Sequence, residues 1–539
     1  MAVAGAGRGG QCLQEKNEGR GRALNLTSSA TVGAPERLPA FSHGYRNAVL
    51  SLLVLVYTLN FIDRTIIATI GQAIKVDLKI TDTQLGLLGG FSFAVLYTVL
   101  GIPIARLAER WNRVSIIALS MVVWSGFTAA CGVAASFGQL LALRVGVGVG
   151  EAGCSPPAHS LISDYFEPKK RASALSIYSF GIPLGSMIGA VAGGWLAKTW
   201  GWRVAFMVVG LPGVIMAIAV KALIKEPPRG HSDPLERPAL AEDVAAHAAS
   251  AAKGSWLATE FRELGSVAAS LFGNWPVLNM VLGVTLVSFA GYGAGAFSAP
   301  YFIRAFGLDY ATVGLIFGLI GGFSSGVGTI AGGFVTDRAS RWGARWYSLT
   351  PAIGLAIATP IYILAYTRPD WRTAALILLV PGIFHYTYLG PTFGVVQNVV
   401  ETRQRATATA LLFFVLNFIA LGGGPVFTGW IIDQLAQFGF THGGGRSLGA
   451  ALSAVAHGEG FAAAHGPDFA RLCPGGAAPA GAAPAAAALC KSTLITATRQ
   501  GIIVTIFFYA WGGFHYLLGA FGLAGKLESV AARRRAREA

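Results

Sequence analysis

Asp63 and Arg64 stand side by side in the apolar run "VYTLNFIDRTIIATI", and Arg144 and Glu151 stand in a second run, "RVGVGVGEAG". A full charge at bilayer depth costs several kcal/mol unless it is paired or wet, which makes each of the four a functional candidate. Arg144 and Glu151 are seven residues apart, nearly two helical turns, so they share one helix face. Asp63 and Arg64 differ by about 100° around a helix and serve different neighbours. Burial disfavours the charged form of a carboxyl, whereas a nearby arginine favours it. These residue types therefore suit proton chemistry, with an acid neutralised by arginine in one state and by a proton in another. Depth along the two helices predicts an Arg64–Glu151 pair with Asp63 as a proton site beside it. The alternative is a permanent buried salt bridge that only locks helices together.

The elements that must hold these charges are membrane spans. Of 539 residues, 53% are hydrophobic and 12% charged, where a soluble domain carries about a quarter charged. Twelve apolar segments read as spans, at 46–74, 83–105, 114–135, 138–165, 171–197, 201–224, 275–303, 310–336, 345–366, 372–400, 404–435 and 497–524. Short loops rich in Lys and Arg alternate with poorer ones: Arg106, Arg110 and Arg113, then Lys169, Lys170 and Arg171, then Arg338, Arg341 and Arg345, then Arg403 and Arg405. They share one side if both termini are cytoplasmic. The formal charge of +15 thus sets membrane orientation, and no motif points to nucleic acid.

Residues 1–45 read as a disordered cytoplasmic tail without a cleavable signal peptide, and 525–539 as a basic cytoplasmic tail. The polar segment 225–274 is a cytoplasmic linker between a first bundle, 46–224, and a second, 275–524. Its end, "SWLATEFRELGSVAASLF", is either an amphipathic helix on the inner membrane face or a plain helical linker. The loop 436–496 faces outside and holds Cys473 and Cys490, either a disulfide on the oxidising side or two unpaired thiols.

An internal repeat supports the division. "ARLAERWNR" after the second span carries Glu109, Arg110 and Arg113, and "GFVTDRASR" after the eighth carries Asp337 and Arg338. Both place an acid–arginine pair at the cytoplasmic end of a second helix, as repeats in transporters do. These paired loops resemble the signature loop of the major facilitator superfamily, although Ala105 and Glu109 stand where that family usually has Gly and Asp. "RVGVGVGEAG" and "GIPLGSMIGAVAGGWLAKTWGWRVAF" resemble its fourth-span and fifth-span motifs. Within the superfamily, "LNFIDRTIIATI" with "RVGVGVGEAGCSPPAHSLISDYF" is similar to the Spinster-like transporters. The resemblance implies an all-α membrane protein of the major facilitator fold, with twelve transmembrane helices in two six-helix bundles. It implies a proton-linked carrier whose central cavity opens alternately to each side, with a monomer as the default. Eukaryotic Spinster members move sphingosine phosphate and lysophospholipids. The Ala/Gly-rich composition looks bacterial, which places the chain in the inner membrane among lipids.

The second half has fewer charges within its spans. The cavity and substrate residues expected are Asn60 in the first half, and Tyr292, Phe317, Ser324, His385, Tyr388, Gln397, Phe413 and Asn417 in the second. Such apolar and aromatic walls suit an amphipathic ligand, while any aromatic at helical spacing also serves plain packing. His385 reads as a proton relay or a hydrogen-bonded structural histidine. "GVGEAG" matches a dinucleotide fingerprint but lies inside a span, with no strand before it. No metal pattern, cofactor motif or catalytic set is recognisable, so no metal, cofactor or enzyme activity is expected. The leading expectation is a proton-coupled carrier of an amphipathic, lysophospholipid-like or sphingoid-type substrate. A carrier of another organic solute and a non-transporting sensor are the rivals.

Overall fold

The computed structural model describes residues 41–229, 231–232, 256–400, 405–442, 448–449, 453, 457 and 468–538. The tail expectation for 1–40 and most of the linker expectation therefore lie outside the described residues. The first half begins with α1 (His43–Leu78) and α2 (Asp82–Gly86 and Ser92–Arg110, joined by a π turn at Leu87–Phe91). α3 (Arg113–Cys131) and α4 (Phe137–Glu151 and Ser155–Tyr165) follow. Pro168–Ser179 and Gly181–Leu223 then make α5 and α6, which meet in a kink at Gly201, φ +83°. A helix at Trp256–Phe272 leads into the second half.

The second half starts with α7 (Trp275–Phe306) and α8 (Tyr310–Leu319 and Ser325–Ala339 around a π turn at Ile320–Ser324). α9 (Trp346–Tyr366) precedes α10 (Trp371–Leu378, Pro381–His385 and Leu389–Asn398). α11 (Arg405–Val415 and Gly422–Thr441 around a π turn at Leu416–Leu421) and α12 (Pro484–Ala520) complete it.

Ten stretches of the described residues are long and apolar enough to cross a membrane. One of them, Ser173–Leu223, holds both α5 and α6. α4 is not among them because it breaks at 152–154, where Pro156 and Pro157 open its second piece, and proline cannot supply the helical N–H. With α4 added and α5 and α6 separated, the crossings number twelve.

Side-chain caps set many helix starts. Ser42, Asn112 and Ser136 accept backbone N–H bonds at the starts of α1, α3 and α4. Thr81 and Gln84 form a capping box at α2. Asp309 accepts from Ala311 and Thr312 before α8, and the Thr312 N–H bond holds its carboxyl below the usual carboxylate range.

Several bounds differ from the expectation: α1 already begins at His43, inside the expected tail, and α2 runs to Arg110 rather than 105. α12 begins at Pro484 rather than 497, because its Ala-rich first turns favour helix while falling short in hydropathy. α11 runs to Thr441, so the outer connection shortens to 442–483. The basic tail is helical over Leu523–Glu538.

Glycines set the spacing within each half. A Cβ at Gly185 of α5 would lie 2.4 Å from the Thr58 carbonyl of α1, and one at Gly210 of α6 would lie 2.6 Å from the Ala129 nitrogen of α3. Small residues of this kind let helix backbones approach in membranes. Between the halves, the tight contacts lie toward the outer ends. A Cβ at Gly429 of α11 would lie 2.1 Å from the Asp82 carbonyl, and one at Gly314 of α8 would lie 2.2 Å from the Ala190 carbonyl. The inner segments Pro168–Ser179, Ser325–Ala339 and Arg405–Val415 make their main contacts outside the opposite bundle. The halves are thus closed outside and apart inside.

Gly185→Val is expected to destabilise the first half by about 1–3 kcal/mol through overpacking against Thr58, read as a lower melting temperature in detergent. An unchanged melting temperature would refute the close α1–α5 approach.

Candidate functional site

Asp63 and Arg64 lie in the middle third of α1, where consecutive residues diverge around the helix. Arg64 turns to α4 and donates from Nε to Glu151 Oε2 at 2.6 Å. Asp63 turns to α3 and accepts from Thr128 Oγ1 at 3.3 Å. α4 approaches both because its glycines allow it. A Cβ at Gly148 would lie 2.7 Å from the Phe93 carbonyl of α2, and one at Gly150 would lie 2.5 Å from the Trp124 nitrogen of α3.

The Arg64 guanidinium is also ringed by aromatics, with Phe61, Phe93 and Tyr97 centroids at 5.0, 4.6 and 4.7 Å. Such faces attract a cation. The Arg64 side chain keeps 19% exposure while Glu151 has none, so the arginine is the member of the pair that reaches open space.

Arg144 and Asn60 complete the cluster. Arg144 is buried within electrostatic reach of Asp63 and Glu151. Its Nε and Nη1, together with Asp63 Oδ1 and Glu151 Oε1, have no hydrogen-bond partner among the described residues. Asn60 was expected to line the substrate cavity, but it is 1% exposed beside Glu151. The cluster therefore combines one direct ion pair, a second acid beside a second arginine, and polar atoms left without protein partners. Two acids and two arginines make the group charge-balanced, and buried charge in low dielectric is tolerated only when it is paired in this way.

The expected cavity residues divide. Tyr292 of α7 is 45% exposed and within electrostatic reach of Arg64 and Tyr97 across the gap. Phe413 of α11 is 47% exposed, its ring 5.3 Å from Phe393. Asn417 is half-buried in the α11 π turn.

Of the others, Ser324, Tyr388 and His385 are buried, Phe317 is half-buried, and Gln397 is exposed. Ser324 is buried, and its hydroxyl donates to the Leu379 carbonyl of α10 at 2.7 Å, because the α8 π turn lies against that helix. Phe317 packs edge-on to Phe302 at 5.1 Å. Tyr388 is buried with its hydroxyl 3.3 Å from Ser288 Oγ. Gln397 sits at the inner end of α10, where its Nε2 donates to Thr409 Oγ1 at 3.4 Å. His385 is enclosed by Tyr362, Tyr386, Tyr388 and Tyr509, with Nδ1 3.3 Å from the Tyr362 hydroxyl.

The signature loops are placed at the inner ends of α2 and α8. Arg113 is wholly buried and stays within the first half, bound to Asp164 at 2.5 Å, Glu226 at 2.6 Å and Ser160 at 2.7 Å. It ties α3 to the end of α4 and to the start of the linker. Asp337 and Arg338 are exposed. The side chains of Glu109 and Arg110 lie outside the described residues.

A second charge cluster at the outer end went unrecognised in the sequence. Arg304 of α7 donates to Asp82 at 2.6 Å, Gln72 at 2.7 Å and Thr498 at 2.7 Å. Lys75 of α1 reaches Asp82 at 3.1 Å. Asp433 of α11 accepts from the Asp82 and Thr83 backbone N–H groups at 3.0 and 2.7 Å, so it caps α2 from the opposite half. Lys75 and Arg304 read as end-of-helix charges, and only the long apolar context of "GWIIDQ" around Asp433 carried a signal. Buried Arg304 and half-buried Asp433 are the second half's contribution to this cluster, in a half expected to carry fewer charges within its spans.

Residues 53–425 match the family model for the Major Facilitator Superfamily. The chain is 31% identical to an MFS-type efflux pump of Mycolicibacterium smegmatis, over 79% of this chain and 92% of the pump. It is 26% identical to a hexuronate transporter of Bacillus subtilis, over 76% and 93% of the two chains. A crystal structure of a bacterial homologue of the human lysosomal transporter Spinster, inward-facing and unoccupied, superposes with a TM-score of 0.71. That match has 33% identity and covers 90% of this chain and 99% of that one.

A double-mutant cycle of Arg64→Gln and Glu151→Gln is expected to give a coupling of about 0.5–3 kcal/mol in thermal unfolding. Strictly additive single effects would deny the pair any energetic role.

Proposed function

The chain belongs to the major facilitator superfamily and is Spinster-like, and from that premise we propose that it is a proton-coupled carrier of an amphipathic, lipid-like anion of the lysophospholipid or sphingoid-phosphate kind. It works as a monomer in the inner cell membrane. The observation that carries the proposal is the placement of Arg64: bound to buried Glu151 on one edge, ringed by aromatics, and partly exposed on the open side.

A cargo phosphate entering from the open cytoplasmic side competes with Glu151 for the Arg64 guanidinium, which is suited to paired bonds with phosphate. When Arg64 yields to the cargo, Glu151 is left charged in a wholly buried place, and a proton relieves that cost. Asp63, held by Thr128 and near Arg144, is the second station for the proton. The acyl chain lies along exposed aromatic positions such as Tyr292 and Phe413. Partner exchange in the cluster then favours one arrangement of the halves over the other, which links protonation to alternating access. A charge moved across the membrane is worth about 2.3 kcal/mol per 100 mV, enough to drive the cycle.

A second reading is favoured by the relative described as a hexuronate transporter: a smaller organic solute, whose carboxylate would use the same Arg64 edge.

Flux in proteoliposomes tests the proposal. Lysophospholipid movement is expected to rise with an imposed pH gradient, and Asp63→Asn and Glu151→Gln are each expected to abolish that rise while still binding cargo. Gradient-driven flux that persists in both folded variants sinks the coupling. Gradient-driven movement of glucuronate but not lysophospholipid selects the second reading.

A further inference from the structure

The outer connection between α11 and α12 carries a small folded lobe that touches both halves. Asp468 caps the short helix Phe469–Leu472. The Phe469 N–H donates to Gln437 Oε1 of α11 at 2.8 Å, and its ring meets Phe440 at 5.5 Å. Cys473 is disulfide-bonded to Cys490 in the first turns of α12, and both are buried. The lobe is therefore anchored to the second half at three points.

Its tip reaches the first half. Gly475 and Gly476 have φ of +68° and +88°, a conformation that suits glycine. They place the turn directly on the end of α1. A Cβ at Gly475 would lie 3.0 Å from the Lys75 carbonyl and 3.4 Å from the Cα atoms of Val76 and Lys79. One at Gly476 would lie 3.5 Å from Lys75 Cε and 2.3 Å from Leu494 Cδ2 of α12. Directly below are the Lys75–Asp82–Arg304 bridges and the Asp433 cap, the polar seam between the halves at this end.

We propose that this disulfide-stapled lobe is an outer clamp, which holds the end of α1 onto α11 and α12 and biases the transport cycle toward the state closed outside. Opening outward requires α1 to leave α7 and α2 to leave α11, which exposes Lys75 and Asp82 to water and lifts α1 off Gly475 and Gly476. The lobe also keeps water from the Lys75 side of the cluster, where screening would weaken the bridges. The staple matters because it prevents the tip from following α1 outward. The inference rests on the alternating-access reading but on neither its cargo nor its proton.

Hydrogen–deuterium exchange of the full chain in detergent, with no cargo and no pH gradient, reads the clamp. In Cys473→Ser/Cys490→Ser, amides in 72–86 and 429–437 are expected to exchange about ten-fold faster, the effect of a shift of ~1.4 kcal/mol in the opening equilibrium. Amides in 168–179 and 325–339 are expected to become slower as the inner side closes. Gly476→Ala, which keeps the disulfide but crowds Leu494, is expected to shift both sets in the same directions. Unchanged exchange in 72–86, or faster exchange at both ends, overturns the clamp, the second outcome marking simple loss of stability. Because neither cargo nor gradient enters, a failed flux assay leaves this result standing, and the reverse also holds.

Discussion

A full charge inside an apolar helix must find a partner, a proton or water, and the first half of this chain is arranged around four such charges. Arg64 cannot point outward into lipid, so it turns to Glu151, and α4 has to lie close enough to supply that carboxylate. Closeness requires small residues, and the glycines of "RVGVGVGEAG" meet the Phe93 and Trp124 backbones. Asp63 cannot share the same neighbour, because successive residues diverge around α1, so it uses Thr128 of α3. The packing of α2, α3 and α4 around α1 thus follows from one electrostatic demand. The same arrangement leaves the arginine with an exposed edge and each acid with an oxygen that has no hydrogen-bond partner among the described residues.

The seam between the halves works by a different balance. Toward the outside, backbone approaches nothing larger than glycine allows, and the polar cluster of Lys75, Asp82, Arg304 and Asp433 fixes the register of α1, α2, α7 and α11. Toward the inside, Arg113 spends its bonds within its own half, on Asp164 and Glu226. The closed side is consequently held by bonds that cross the halves, and the open side by bonds that stabilise each half alone. π turns sit in α2, α8 and α11, three of the helices on this seam. They interrupt the regular helix ladder on this seam.

Much of the charged site was legible because its signals are local and strong. A charge within a long apolar run stands out, and 3.6-residue periodicity says which face it takes. The division into two halves was legible too, through the repeated loops around Arg113 and Asp337. The cavity wall was much less legible. Tyr292 and Ser324 look alike in sequence, as polar side chains in apolar helices, yet one is open and the other is bonded to Leu379. A π turn shifts the side-chain register by about one residue, and "IGGFS" gives no warning of it. His385 and Tyr388 were hidden for a related reason, because aromatic residues meet across helices whose order in space is not written in their spacing.

The sequence by itself determined the class of the molecule: a twelve-span helical membrane protein in two related halves, with paired charge in the first. Those properties depend on hydropathy, period and charge, which are sums over neighbouring residues. Tertiary structure decided which side is closed, that Asp433 caps a helix of the other half, and that the stapled lobe bridges α1 to α12. Each of these joins residues tens to hundreds of positions apart. Such contacts depend on how whole helices are placed, and no window along the chain contains both partners.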